Sequence, residues 1–115
     1  MRAHRVDTWK LYRPETTRER TRGLLDLDLG ENEGLLLPRC RSVHTFGMRF
    51  VIDVVLLDRE WRPVRVIAMR PGRLLLPRPR VRHVLEVAAG RGQAAAQEIH
   101  IPVPGALPVE TQPSL

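Results

Sequence analysis

The stretch I-D-V-V-L-L-D at 52–58 constrains this chain more than any other. It is continuous, apolar and β-branched, so it reads as a strand buried on both faces or placed centrally in a sheet. R-E-W-R at 59–62 is a turn, and V-R-V-I-A-M at 64–69 is the returning strand, so the two form a β-hairpin. Any core built on this hairpin must be aliphatic. Hydrophobic residues make up 43% of the 115-residue chain, but aromatics only 4%. The length suits one domain.

The flanking segments carry weaker β signals. V-D-T-W-K-L-Y at 6–12 predicts a first strand, with Trp9 and Leu11 on one face and Val6, Thr8, Lys10 and Tyr12 on the other. Pro14 ends it. Thr16 and Glu19 match a capping box, which predicts a short helix closed near Gly23. Gly34 to Leu37 is a short aliphatic strand before Pro38. Residues 70–80 hold three prolines and four arginines and read as a loop with an extended core. Val81 to Ala88 alternates as a strand. After Gly90 and Gly92, residues 93–98 suit one helical turn and I-H-I-P-V at 99–103 a last edge strand. The expectation is a mainly β, α+β domain over residues 1–103. It is a small antiparallel β-sandwich or half-barrel with one short N-terminal helix, followed by a disordered tail at 104–115.

Net charge is +6, and its distribution is uneven. Residues 62–91 hold eight arginines against one acid, Glu86, whereas residues 1–61 are nearly balanced. Such a segment could neutralise phosphates, so non-specific nucleic-acid binding through residues 62–91 is one function class. The aromatics are scattered, however, and no nucleic-acid motif is present. The N-terminus lacks the apolar run of a signal peptide, and no stretch approaches the ~20 apolar residues of a membrane span. Cys40 is the single cysteine, so no internal disulfide can form. These features lead to the expectation of a soluble, monomeric, cytoplasmic protein.

The segments E-R-T-R-G-L-L at 19–25, R-S-V-H-T-F-G-M-R-F at 41–50, I-D-V-V-L-L-D with V-R-V at 64–66, and H-V-L-E-V-A-A-G at 83–90 follow one another in a familiar order. Over roughly residues 6–90 the chain resembles the bacterial and archaeal family known as domain of unknown function one hundred and ninety-two. The resemblance implies a compact, mostly antiparallel β-structure with a short helix, and it brings no established reaction. Three departures stand out. Val51 replaces a frequent proline, R-E-W-R replaces a glycine-bearing turn, and A-A-A-Q-E-I-H-I-P-V replaces a Gly-Asp strand. Strand assignment after Gly90 therefore stays open.

The polar residues inside the apolar 42–53 stretch are the candidates for a site. Cys40, His44 and Met48 would share a face if the segment were straight, and they are soft donors that copper favours. Gly47 invites a bend, and neither metal nor cofactor is expected. Asp53 opens an apolar strand and needs donors or a cation. The favoured reading has it accept backbone N–H groups or an arginine. The alternative pairs it with His44 in a small hydrolase-like site, His44 as base and Asp53 as orienter. Glu86 is expected to face solvent or to meet an arginine of 62–82. The main functional expectation is a small accessory or binding domain. Its groove would be lined by His44, Thr45, Met48, Arg49 and Asp53 and would take a small polar or anionic ligand or a protein partner.

Overall fold

The structure is a computed structural model of the chain, and it describes residues 1–16 and 28–101. The strands are β1 (Arg2–Val6), β2 (Trp9–Arg13), β3 (Glu33–Leu37), β4 (Val43–His44), β5 (Ile52–Leu57), β6 (Pro63–Met69), β7 (Leu74–Leu75) and β8 (His83–Ala88), followed by helix α1 (Gly92–Glu98). Six of them form one sheet in the order β1-β2-β3-β8-β5-β6, and β4 and β7 form a separate two-stranded ribbon. The domain is mainly β and not a closed barrel. The helix expected at the N-terminus and the tail at 104–115 lie outside the described residues.

The hairpin that anchors the sequence reading is present as β5–β6, and every residue of β5 is buried. Burial follows from position, because β5 lies between β6 and β8 and has packing on both faces. Ile52, Val54 and Leu56 point to one face with Leu35, Leu37, Val84 and Val43 of the ribbon. Val55 and Leu57 point to the other with Trp9, Leu11, Leu85, Val87 and Ala95 of α1. The molecule is thus layered as ribbon, sheet and helix, with an aliphatic core in each gap.

Three expectations are corrected by the backbone. The segment 6–12 is not one strand. Asp7, at φ +55, and Thr8 form a two-residue turn, and β1 pairs back on β2 with Val6 opposite Trp9. Val6 therefore packs with Trp9 instead of lying on the Tyr12 face. The sheet is mixed, because β2 and β3 are parallel. Residues 14–32 separate these strands, a connection long enough for the crossover that parallel pairing requires. Residues 99–101 are not a strand. Ile99 packs its side chain beneath α1, and the His100 N–H donates to Asp7 Oδ2 at 2.9 Å, so that amide makes no ladder bond.

The turn that lacks a glycine solves its geometry with a side chain. Asp58 Oδ1 accepts the N–H groups of Glu60 (2.9 Å) and Arg62 (3.0 Å), and Trp61 sits at φ +65. A bulky residue in this region is strained. Its ring lies flat on His83, with centroids 3.6 Å apart, which offsets that cost. His83 Nδ1 in turn accepts the Arg39 N–H at 2.9 Å, so the neutral ring carries its proton on Nε2.

Candidate functional site

Thr45 organises the ribbon. It is fully buried, and its Oγ1 donates to the Arg70 carbonyl at 2.6 Å and accepts the Arg73 N–H at 2.8 Å. Its own N–H donates to the Arg73 carbonyl, and its carbonyl accepts the N–H groups of Gly72 and Met48. One residue thereby ties the 70–73 turn to β4. Gly47, at φ 83, lets the chain reverse immediately after it. The segment is bent, so period-two reasoning fails along it. Val43 faces the core, His44 is exposed, and Met48 is half-buried against the core. Thr45→Val should cost about 1–3 kcal/mol in denaturant unfolding, because two backbone groups lose a buried partner. His44→Ala, at an exposed position, should stay within about 0.5 kcal/mol.

The tertiary fold does not bring His44 and Asp53 together. His44 belongs to the ribbon layered on one face of the sheet. Asp53 points from β5 to the opposite face, where its Oδ2 accepts the Gly92 N–H at 2.8 Å. This is the backbone-accepting role favoured for Asp53. It supplies the N-terminal cap that Arg91, at the N-cap position, does not provide from its own side chain. A His44–Asp53 dyad is not assembled. Nor do the five groove candidates share one wall: Thr45 is consumed in backbone bonds, Asp53 is on the far face, and His44, Met48 and Arg49 remain on the ribbon side. Cys40 donates through Sγ to the Ser42 carbonyl at 3.1 Å. Among the described residues no three His, Cys, Asp or Glu side chains converge as a metal site would need.

Several large apolar side chains are exposed in the segments of the ribbon and just beyond them. Phe46, Phe50, Val51, Leu74 and Leu76 are all exposed, Leu76 by 65% and Leu74 by 56%. His44 pairs across the ribbon with Leu74 and stacks on Phe46, with centroids 5.1 Å apart. The arginines Arg49, Arg70, Arg73 and Arg80 are exposed in the same segments. Other arginines are used internally. Arg41 donates to the carbonyls of Arg78 and Val81, and Arg82 to that of Pro79. Sequence reasoning named His44, Met48 and Arg49 but not Leu74 or Leu76.

Glu86 is the residue whose environment differs most from expectation. It neither faces solvent nor meets an arginine. It is buried between Leu35 of β3 and Val54 of β5, and burial alone raises its pKa from 4.5 to about 7. Asp53 lies opposite Val87, so the two carboxylates point to opposite faces. The signal was present in V-L-E-V: a glutamate in a strand whose neighbours are apolar on both faces has no wet side to turn to. His83 is shifted the other way, lowered first by its own desolvation and then by the Arg39 charge; Asp58 offsets part of this, and Arg82 adds the smallest lowering effect.

These features define a layered β domain with a mixed six-stranded sheet and an apolar, arginine-flanked ribbon. The chain belongs to the DUF192 family, described as an uncharacterized ACR, whose model matches residues 2–101. It is 35% identical over 57 residues to the UPF0127 protein PH1112 of Pyrococcus horikoshii. That match covers 50% of this chain and 50% of the relative, so the chain spans about half the length of the curated protein it resembles. A crystal structure of a protein of unknown function from Novosphingobium aromaticivorans superposes with a TM-score of 0.56 at 21% identity, over 79% of this chain and 67% of that one. The likeness is one of fold.

Proposed function

We propose that this protein is a binding domain and that the β4–β7 ribbon receives an acidic polypeptide segment bearing apolar side chains. The observation that supports this reading is the concentration of exposed Phe46, Phe50, Leu74 and Leu76 in two segments that also carry Arg49, Arg70 and Arg73. Exposed large apolar side chains gathered in neighbouring segments mark an interaction site more strongly than exposed charge does. No acid occurs between Glu33 and Asp53 or between Glu60 and Glu86, so the charge complement is negative. Aliphatic leucines favour a polypeptide over a nucleic-acid strand, which would use aromatic platforms. The ring of Phe46 is already stacked on His44. Among the described residues no helix is long and apolar enough to cross a membrane. A monomer in the cytoplasm is part of this reading, supported by the lone cysteine.

The test is a titration followed by amide chemical shifts. A short peptide alternating glutamate and leucine should move resonances of residues 44–51 and 72–76, and Leu74→Asp should weaken its binding at least tenfold without changing stability. A thymidine oligonucleotide that binds more tightly than the peptide, with a steep salt dependence that Leu74→Asp leaves intact, would transfer the function to nucleic-acid binding.

A further inference from the structure

A conformational device lies where β8 begins, and it does not rest on what the ribbon binds. His83 opens β8 opposite Leu57 of β5, one residue beyond the last β3–β8 pair, Leu37 with Val84. Its half-buried ring stands between two connections, the turn after β3 and the turn from β5 to β6. From the first, the Arg39 N–H donates to Nδ1 at 2.9 Å. From the second, the Trp61 indole lies flat on the ring, with 3.6 Å between centroids and 2° between planes. Arg39 at φ +55 and Trp61 at φ +65 are two of the three non-glycine residues with left-handed backbone among the described residues. Such conformations are costly and persist only where their surroundings hold them. Here both meet one imidazole.

An imidazole accepts a hydrogen bond only while one of its nitrogens is bare. Neutral His83 carries its proton on Nε2 and offers a lone pair at Nδ1. A second proton, taken from solvent, goes to Nδ1 and sets a donor against the Arg39 donor, so the two cannot stay in contact. The charged groups around the ring are Arg39 on the connection after β3, Asp58 on the β5–β6 turn and Arg82 beside it in sequence. Asp58 Oδ2 is shared with Arg62 Nε at 3.7 Å. An imidazolium is attracted to the Asp58 carboxylate and to the face of the indole, and it is repelled by both neighbouring arginines. The ring therefore keeps Trp61, and the Arg39 turn is the side that lets go. Arg39 is exposed, so water can take over its N–H once the turn has moved.

We propose that His83 is a pH-operated latch at the entry to the ribbon: its neutral ring pins the Arg39 turn, and its protonated ring keeps Trp61 and releases that turn, the connection that leads into β4. Burial of the ring and then the Arg39 charge lower its pKa, with Asp58 opposing them and Arg82 adding the least. The latch is therefore closed at neutral pH and opens in acid, below the ordinary histidine range. Arg41 stays bonded to the carbonyls of Arg78 and Val81, so the released turn swings on that anchor and the ribbon stays attached.

The experiment is a pH titration of the intact protein followed by heteronuclear NMR. The imidazole nitrogen shifts of His83 read its tautomer and protonation. Protection of the Arg39 amide against hydrogen exchange reads the latch, and ring-proton contacts between Trp61 and His83 read the stack. The expected result is the Nε2–H tautomer at pH 8, then an Arg39 amide that loses protection at least tenfold as His83 protonates, while the ring contacts persist. His83→Asn, whose side-chain oxygen falls near the place of Nδ1 and does not titrate, should keep Arg39 protected throughout. His83→Phe, which keeps a flat ring without an acceptor, should leave Arg39 unprotected at every pH. Protection that survives His83 protonation, loss of the ring contacts in its place, an Nδ1–H tautomer at pH 8, or protonation only together with global unfolding would each overturn the proposal. All four are read on the wild-type protein, so a variant that fails to fold does not remove the test.

Discussion

Replacing Glu86 with glutamine should leave the protein little changed near pH 4 and markedly more stable than wild type near pH 8. The folded-state pKa is raised, from 4.5 to about 7, by burial. Between those values the folded state holds a proton that the unfolded state has released, so stability falls as pH rises through the window. A rise from 4.5 to about 7 corresponds to about 3 kcal/mol, the amount by which the glutamine variant should gain on the wild type from pH 4 to pH 8. Urea unfolding at several pH values reads it directly. A constant difference across that range would show that the carboxyl is not neutral in the fold. His83 works in the opposite sense. Its pKa is lowered, so its contribution is complete above the ordinary histidine range and is lost as pH falls below it. With Glu86 removed, only this acid-side loss should remain in the upper part of the profile.

Gly92→Ala should destabilise the protein by about 2–3 kcal/mol, although helix propensity alone favours alanine by about 1 kcal/mol. A Cβ at Gly92 would stand 2.8 Å from Asp53 Oδ2 and 2.9 Å from Asp53 Cβ, and closer still to Val66 Cγ1. Atoms of a well-packed interior do not approach so closely, and Val66 is a stiff β-branched residue in a strand. Steric cost therefore wins over propensity. Asp53→Ala should cost about 1–2 kcal/mol through the lost cap. In the double variant the two effects should not add, because truncating Asp53 removes part of what the new methyl strikes. Thermal unfolding of the four proteins closes this cycle, and additive losses would mean that Gly92 and Asp53 act separately.

Much of the fold was legible locally. β5 and β6 were readable because a continuous β-branched run needs burial on both sides, and a short polar turn leaves little alternative to a hairpin. β8 was legible from its alternation, but its place was not. It lies between β3 and β5, and nothing in V-L-E-V-A tells which strands will flank it. The parallel β2–β3 pair was hidden for the same reason, since strand direction depends on the path of the intervening chain. The site was less legible. Cys40, His44 and Met48 line up only in a straight strand, and Thr45 with Gly47 bends that segment so that His44 points outward and Met48 inward. The shared His44–Asp53 groove failed because Asp53 alternates with Ile52 and Val54, which take the ribbon side.

By itself the sequence determined the class of fold, the central hairpin and the aliphatic core, since periodicity and composition act over a few residues at a time, and it made the family legible only as a resemblance carried by its ordered motifs. It also determined that Asp53 must find donors and that polar chemistry inside 42–53 would be unusual. Only the tertiary structure decided which donor Asp53 found, which face each carboxylate took, and that leucines and phenylalanines in and beside the ribbon segments are left exposed. The physical reason is that strand neighbours and layers are set by long-range packing. A period-two pattern separates two faces without stating what will cover either one.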